Sequence, residues 1–244
     1  MKFPRRLQEA TLVRRRMRFL MDVVFDDGAE ATAHCANTGS MLGVNRPGAR
    51  CLVLDSDNPT RKLRYTLQAV RVGRIWVGAH PILANTIGRE AIEAGMIDGV
   101  GPVAEVRAEV AYGRASRADL MLRDGDGTRW YVEIKSASMA EERVSMFPDA
   151  VTERGLKHLD ELIRVTKQGD RALMLFVATR DDVDVFRPAG HIDAAYAKRL
   201  GQAARQGVMV RAITSRTTRE GMEAVRQIPV DLPKGRGISY PARP

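Results

Sequence analysis

The 244-residue sequence has only two cysteines, four histidines and 5% aromatic residues. Cys35 and Cys51 have neither the spacing of a metal site nor the number needed for a disulfide framework, so we predict two small core residues. So few histidines argue against a histidine-rich metal site or a Ser-His-Asp hydrolase. The first residues have no apolar signal segment, and no apolar run approaches the ~20 residues of a membrane span. We therefore expect a soluble, cytoplasmic protein.

Positive charge is what the sequence has in excess. Hydrophobic residues make up 44% and charged residues 28% of the chain, as in an ordinary globular protein. The formal net charge is +9, which favours an anionic partner. Residues 1–85 contain 14 basic and 7 acidic side chains, whereas residues 86–244 contain 25 and 23. The first part of the chain therefore has most of the excess and is the part expected to face an anionic partner. An arginine-rich composition that merely reflects GC-rich coding is the alternative.

The N-terminal third reads as short strands separated by turn residues, without helical periodicity. We predict five strands, at about 12–25, 29–36, 49–55, 62–72 and 74–79. A small closed barrel protects the edges of so few short strands better than a sandwich does. Residues 1–81 are therefore predicted to form an OB-fold-like nucleic-acid-binding domain.

The rest of the chain alternates helices and strands. We predict helices at about 82–94, 150–168 and 193–206, with strands at 105–112, 117–123, 129–136, 171–179 and 208–213. The apolar face of the first helix includes Ile82, Leu83 and Ile87, and Gly95 ends it. The order αβββαβαβ predicts a mixed sheet with helices on both faces, so the fold class is α+β or α/β. This second domain is assigned to residues 82–232, and residues 233–244 are expected to form a flexible tail.

The residues that suggest chemistry lie on two adjacent predicted strands. Alternation along a strand places Glu133 and Lys135 on one face, opposite the apolar residues of the same strand. Asp119 lies directly across from Glu133 if paired residue numbers sum to 252, which requires an odd loop around Asp126 with Gly127 in a left-handed conformation. A two-residue turn would instead put the two carboxylates on opposite faces. The predicted site therefore depends on the strand register.

Two adjacent carboxylates repel each other, and Mg²⁺ or Mn²⁺ between them would remove that repulsion. We therefore predict Asp119 and Glu133 as metal ligands. Such an ion polarises a phosphoryl oxygen and lowers the pKa of a bound water, while Lys135 would stabilise charge that develops on the phosphate. Asp followed by Glu-x-Lys on neighbouring strands, with a helix after them, resembles the restriction-endonuclease-like PD-(D/E)xK fold. The three residues are the candidate catalytic set.

Further candidates surround this set. Glu109 could supply another carboxylate, although a solvated strand residue is the simpler interpretation. The helix after the third strand has Asp149 or Thr152 as its N-cap. From that helix, three side chains could support the site by reaching a phosphate: Arg154, Lys157 and His158.

Two groups of basic residues in the first domain are candidates for nucleic-acid binding. Arg14, Arg16 and Arg18 are expected on one face of the first strand, spaced to follow a phosphate backbone. A second group, near another loop, consists of Arg61, Lys62 and Arg64. A solvated strand edge is the alternative interpretation for both groups.

Five ordered motifs resemble the bacterial and archaeal sugar fermentation stimulation protein A family. They are His34 to Met41, Ser56 to Pro59 with Arg61 to Leu63, Ser116 to Asp119, Val132 to Lys135, and Phe147 to Thr152 with Arg154-Gly155 and Lys157 to Leu159. The resemblance spans residues 3 to about 232 and implies an N-terminal OB-fold, a nuclease-like domain, DNA binding and a regulatory role in sugar (maltose) metabolism. One departure from the expected pattern is the segment His80 to Asn85.

Three functions follow from these observations. The first is a Mg²⁺-dependent nuclease, favoured by the intact Asp119, Glu133 and Lys135 set. The second is a transcriptional regulator that only binds DNA, on a catalytically silent nuclease scaffold. The third is an RNA-binding barrel protein, because OB-folds accept single strands of either nucleic acid.

Overall fold

The computed structural model describes residues 1–112 and 116–232. The predicted tail at 233–244 lies outside these residues. Six strands form the N-terminal part: β1 (Gln8–Arg16), β2 (Leu20–Val24), β3 (Glu30–His34), β4 (Arg50–Asp55), β5 (Tyr65–Val72) and β6 (Ile75–Gly78). Their order is β3-β2-β1-β4-β5-β6, and an additional pairing of β3 with β5 closes the first five into a barrel. The predicted OB-fold-like barrel is confirmed.

The prediction of a single strand at 12–25 is wrong. The chain turns back between β1 and β2, so that Arg16 pairs with Leu20 and Thr11 with Val24. Met17 and Arg18 make this turn with positive φ angles of 49° and 64°. Without glycine, asparagine, aspartate or proline, the turn had no sequence signal. The predicted fifth strand, β6, is consequently an extension hairpinned onto β5 outside the closed barrel.

Three helices and nine strands follow within the described residues. Their bounds are α1 (Pro81–Glu93), β7 (Val103–Tyr112), β8 (Ser116–Asp124), β9 (Arg129–Ala137), β10 (Met139–Glu141), β11 (Val144–Phe147), α2 (Glu153–Lys167), β12 (Arg171–Ala178), β13 (Val185–Pro188), α3 (Ala194–Arg205), β14 (Met209–Thr217) and β15 (Met222–Ile228). The main sheet has the order β15-β14-β12-β9-β8-β7, and β10, β11 and β13 form a small second sheet. The predicted order of elements is confirmed, with β10, β11, β13 and β15 as additions.

The core of the second domain continues into the barrel. One apolar cluster joins Phe3, Leu7 and Leu52 of the N-terminal part to α1 and to one face of the main sheet. A second cluster fills the opposite face, beneath α2 and α3. Helix α1 comes very close to β9, since a Cβ on Gly88 would lie 2.9 Å from Cδ1 of Ile134. The barrel and the sheet therefore share buried surface.

Two local predictions need comment. Ile82 was expected on the apolar face of α1, but it is 66% exposed, because the buried stripe of this helix begins at Ala84. Cys35 and Cys51 are free and buried, as predicted. Within the described residues, no helix is long and apolar enough to cross a membrane.

Candidate active site

The β8–β9 hairpin has the register that the site requires. Leu120 pairs with Val132 and Leu122 with Trp130, so paired residue numbers sum to 252. The loop closes through a 3.1 Å hydrogen bond from the Asp124 N–H to the Thr128 carbonyl. Gly127 has the predicted left-handed conformation, with φ at 81°. The odd loop is confirmed, and the strand pairing ends at Leu120 and Val132, one position before Asp119 and Glu133.

Asp119 binds the neighbouring strand with its side chain. Its Oδ2 accepts a 2.7 Å hydrogen bond from the backbone N–H of Ile134. Its Oδ1 accepts a second, of 3.0 Å, from the side-chain amide of Asn85 in α1. Both carboxylate oxygens are therefore held in place, one by β9 and one by the helix that packs over it.

Glu133 is fully buried and surrounded by three donors. Its Oε1 accepts a hydrogen bond from the Tyr112 hydroxyl at 2.5 Å. Its Oε2 lies 2.5 Å from Nδ1 of His158 and 3.2 Å from Nζ of Lys135. Burial opposes ionisation of Glu133, but His158, Lys135 and Tyr112 outweigh it and keep the pKa of Glu133 below its ordinary value. The carboxylate is therefore anionic at neutral pH.

The tautomer of His158 follows from its neighbours. Nε of Arg154 donates to Nε2 of His158 at 3.3 Å, so Nε2 is the acceptor and the proton of the neutral ring is on Nδ1, directed at Glu133. Two of the three supporting candidates on α2, Arg154 and His158, thus reach the site. Lys157 is exposed and has no hydrogen bond to the site among the described residues. Glu109 is also exposed, with a positive φ of 53° in β7.

The two carboxylates are electrostatically coupled. Burial raises the pKa of Asp119, and the negative charge of Glu133 raises it further. Lys135, the Ile134 N–H and Asn85 act in the opposite direction. No group of three or more His, Cys, Asp or Glu residues forms a metal-binding cluster in the part of the chain that the structure describes. The donor set still fits Mg²⁺, which is often held by one or two carboxylates while it keeps several waters.

A cleft of about 580 Å³ lies next to these residues, between the barrel and the second domain. Lys135 and Asn85 line it from the site, and Arg18 lines it from the barrel. Its walls are Asn37 to Gly39 and Arg18 on one side, Pro81, Ile82 and Asn85 on a second, Ile134 to Met139 as the floor, and Met146 to Thr152 with Arg154 on the far side. Lys135 is therefore the member of the candidate set that lines this space, which both domains bound, while Glu133 is buried behind it.

The barrel and the second domain are joined across this cleft through Asp149. Its Oδ2 accepts from the backbone N–H of Met41 at 2.8 Å, and its carbonyl accepts from Oγ of Ser40 at 2.7 Å. Gly39 makes the approach possible, because a Cβ there would lie 2.8 Å from Oδ1 of Asp149. We call these contacts the Asp149 clasp. The N-cap of α2 is Thr152, the other residue considered for it, whose hydroxyl accepts from the Gly155 N–H at 3.0 Å.

Comparisons with known proteins agree with this architecture. A family model described as "SfsA N-terminal OB domain" matches residues 13–79, and one described as "Sugar fermentation stimulation protein RE domain" matches residues 82–221. A sugar fermentation stimulation protein homolog of Geobacter sulfurreducens is 44% identical over 230 residues, which cover 94% of this chain and 98% of that protein. The chain belongs to the sugar fermentation stimulation protein family. A homolog of Maricaulis maris is 42% identical over 233 residues, covering 95% and 99% of the two chains.

A solved structure of a family member shares the whole fold. The structure of Pyrococcus furiosus SfsA in complex with Ca²⁺ is similar with a TM-score of 0.86 at 24% identity, covering 95% of this chain and 98% of that one. The restriction-endonuclease-like class of the second domain, expected from the sequence, agrees with the family description.

In the protein described here, the segment from His34 to Met41 is held by Arg15, which sequence analysis did not single out. The guanidinium of Arg15 donates to the carbonyls of Asn37, Gly39 and Ser40, at 2.5, 3.0 and 3.3 Å. The side chain of Asn37 accepts from the Gly39 N–H at 2.9 Å. The segment is thus shaped for the Asp149 clasp, which explains its length beyond a simple turn.

The basic residues predicted on the first strand separate into two environments. Arg14 and Arg16 both pair with Asp22, at 2.9 and 2.6 Å, and keep the pKa of that carboxyl well below its ordinary value. Arg18 does not share their strand face, because it lies in the turn after β1, where it lines the cleft instead.

The second basic group is only partly free of protein partners. Arg64 pairs with Asp55 at 2.6 Å and lowers the pKa of Asp55 to about 2. Arg61 donates to the Thr66 hydroxyl at 2.9 Å. Lys62 is exposed.

Two residues at the site were missed by sequence analysis. Tyr112 ends the predicted strand β7, and a terminal tyrosine gives no sign that its hydroxyl meets a carboxylate 21 positions away. Asn85 lies in the segment that departed from the expected family pattern, and this departure was the available signal. Both act through tertiary contacts that local periodicity does not encode.

Proposed function

We propose that this protein binds DNA and has a divalent-metal-dependent phosphodiesterase (nuclease) site made of Asp119, Glu133 and Lys135. The observation that carries the proposal is their proximity. Asp119 accepts from the N–H of Ile134, the residue after Glu133, and the charge of Glu133 raises the pKa of Asp119. Lys135 lies 3.2 Å from Glu133 and lines the cleft. Two carboxylates beside an ammonium that lines a cleft in a basic protein suit a phosphodiester substrate.

Asp119 and Glu133 would hold the cation, with Mg²⁺ or Mn²⁺ as the natural ion. When bound, such an ion polarises a phosphoryl oxygen and lowers the pKa of a coordinated water. The Ca²⁺ named for the Pyrococcus furiosus relative is also a cation that prefers oxygen ligands. Asn85 and the Ile134 N–H keep Asp119 in one orientation, so its remaining lone pairs point in a fixed direction.

The remaining groups set the charge of the site. Tyr112 and His158 hold Glu133 ionised and immobile. Lys135, only 17% exposed, would move its ammonium from Glu133 toward a phosphate oxygen and stabilise negative charge there. Arg154 fixes the tautomer of His158 and also lines the cleft, so it adds positive charge near the bound backbone.

DNA is the proposed partner because of charge. The chain carries +9, with 14 basic against 7 acidic residues in its first 85 positions. Basic residues that neutralise phosphates release counterions, which supplies sequence-independent affinity. Arg18 and Lys62 are exposed side chains well suited to this purpose, whereas Arg14 and Arg16 are shared with Asp22.

The first prediction concerns cleavage. Purified full-length protein is incubated with supercoiled plasmid and with single-stranded DNA in Mg²⁺ or Mn²⁺, and products are resolved on gels. We expect cutting by the wild type and a loss of at least about 100-fold in Glu133→Gln and Lys135→Ala, the range in which single electrostatic groups contribute. Glu223→Gln and Lys198→Ala, which change exposed residues on β15 and α3, should cut like the wild type.

A second candidate is a regulator that binds DNA without cutting it, acting on sugar metabolism. The observation that favours it is that both carboxylate oxygens of Glu133 are already hydrogen-bonded, by three donors in all. Binding by the wild type and both site variants, with no products under any metal, would establish this function instead. An RNA strand bound more tightly than the matched DNA strand would point to the RNA-binding alternative.

A further inference from the structure

The two domains are tied together across the cleft. The Asp149 clasp closes one part of its rim, with Gly39 packed against the Asp149 carboxylate. The volume of about 580 Å³ lies within the ~300–1,000 Å³ that accommodates a drug-sized molecule. That is the size class of a nucleotide.

Basic side chains line the cleft on three sides. Arg18 extends from the barrel turn, Arg154 from α2 and Lys135 from the floor. Asp149 is the acidic side chain among the lining residues, and the Met41 N–H already takes one of its oxygens. The cleft is therefore electropositive on the surfaces that a phosphate would meet.

Two exposed aliphatic side chains stand at the same cleft. Ile82, in the first turn of α1, is 66% exposed, and Val151, just before α2, is 74% exposed. Both line the cleft. Apolar side chains of this kind contact base faces once a base has left its stack. Charged and apolar walls around one space match the two halves of a nucleotide, phosphate and base.

We propose that the cleft holds one unpaired DNA strand, with phosphates against Arg18, Arg154 and Lys135 and a base against Ile82 and Val151. The inference rests on the proposed function and specifies its substrate: single-stranded DNA, or an unpaired segment of a duplex. A continuous duplex would meet only the outer rim. The strand in the cleft meets Asn85 and Lys135, which contact Asp119 and Glu133, so cleavage falls in the unpaired segment.

The test is fluorescence anisotropy in EDTA, which prevents metal-dependent cutting. The probes are a labelled single-stranded DNA oligonucleotide and the blunt duplex of the same sequence. We expect the full-length wild type to bind the single strand about tenfold more tightly than the duplex. The double variant Ile82→Ser/Val151→Ser should lose about tenfold for the strand, equivalent to about 1.4 kcal/mol, and keep its affinity for the duplex.

The matched control is Val13→Ser, an exposed aliphatic residue on β1 that is not among the cleft-lining residues; it should bind the strand like the wild type. Thermal melting should be equal for all variants, since each replaced side chain is solvent-exposed. The proposal is overturned if the duplex binds as tightly as the strand, if the double variant matches the control, or if a matched RNA strand binds more tightly.

Failure of this proposal is distinguishable from failure of the proposed function. If the duplex is bound and cut in a Glu133-dependent manner while the double variant behaves like the wild type, the nuclease stands and the cleft assignment falls. If no DNA of either form binds, both fall.

Discussion

Glu133 shows what a single residue contributes at this site. Its side chain is completely buried, and an isolated buried carboxylate would be neutral or strongly destabilising. Tyr112, His158 and Lys135 together supply the donors that keep it anionic. Removing one partner of a buried charge typically costs ~3–5 kcal/mol, because the remaining charge is left uncompensated.

The sequence contains enough information to predict the three candidate catalytic residues, but not the contacts that hold them in place. Asp119, Glu133 and Lys135 follow from strand alternation and one register, both of which are local properties. The contacts of Tyr112 and His158 with Glu133 do not, because these residues lie 21 and 25 positions away. Tyr112 was not singled out, and His158 was expected to reach a phosphate. Asn85 reaches Asp119 only because α1 packs over β9.

Asn85 offers a test at this scale. Asn85→Asp places a third carboxylate about where the amide now lies 3.0 Å from Asp119. We expect the variant to lose ~1–3 kcal/mol of unfolding free energy without divalent cations, since a hydrogen bond becomes a repulsion. Its Ca²⁺ affinity should rise about tenfold, because another hard oxygen ligand becomes available.

Isothermal titration calorimetry with Ca²⁺ and urea denaturation in EDTA measure the two effects of Asn85→Asp. Asn58→Asp is the charge-matched control, since Asn58 is exposed in a barrel loop and caps Thr60. Equal Ca²⁺ affinity in both variants would show that position 85 does not face the cation site.

At the scale of elements, the sequence predicts strands best where they are long and regularly patterned. β7, β8, β9 and β12 were found within two residues of their ends. β10, β11 and β13 have only three or four residues each, too few to show alternation. The β1–β2 turn was missed because Met17 and Arg18 adopt a conformation that usually belongs to glycine or asparagine.

The loop from His34 to Met41 gives a testable prediction about how the barrel packs against Asp149. Gly39→Ala should lower the unfolding free energy by ~1–3 kcal/mol, since the new methyl group meets the Asp149 carboxylate. In an Asp149→Ala background, the same substitution should cost much less. Urea denaturation of the four proteins gives the coupling energy, expected at ~0.5–3 kcal/mol.

Gly101→Ala is the control for the Gly39 cycle, because a Cβ at Gly101 meets nothing within 4 Å. Additive effects of Gly39→Ala and Asp149→Ala would contradict the packing described for the clasp.

For the whole molecule, the domain types were predictable and their arrangement was not. The barrel and the mixed sheet follow from the pattern and order of elements along the chain. Their shared core brings Phe3 and Leu52 together with Ile87 and Ile134. Those residues are all simply apolar in the sequence, and nothing about them identifies the partner against which each is buried.

Acid sensitivity is a property of the whole molecule that can be predicted from its surface ion pairs. Hydrogen bonds from Arg64 lower the pKa of Asp55 to about 2, and those from Arg143 and Arg226 lower that of Asp184 to about 2. A folded-state pKa below the unfolded value of about 3.9 stabilises the protein above that value, and this contribution is lost as the pH falls toward 2.

We therefore expect the unfolding free energy to be nearly constant from pH 7 to about pH 5 and to drop between about pH 4 and pH 2. Urea denaturation across this range measures it. Asp55→Asn, which removes one of these carboxyls, should show a shallower drop. An unchanged slope would mean that Arg64 does not hold Asp55 in solution.

The common core of barrel and sheet also has a consequence for how a bound strand would be used. Because Phe3, Leu7 and Leu52 are embedded in the same apolar cluster as α1 and the sheet, the barrel cannot swing relative to Asp119 and Glu133. A DNA strand bound to the barrel would then be cut at a fixed number of nucleotides from the position where the barrel holds it.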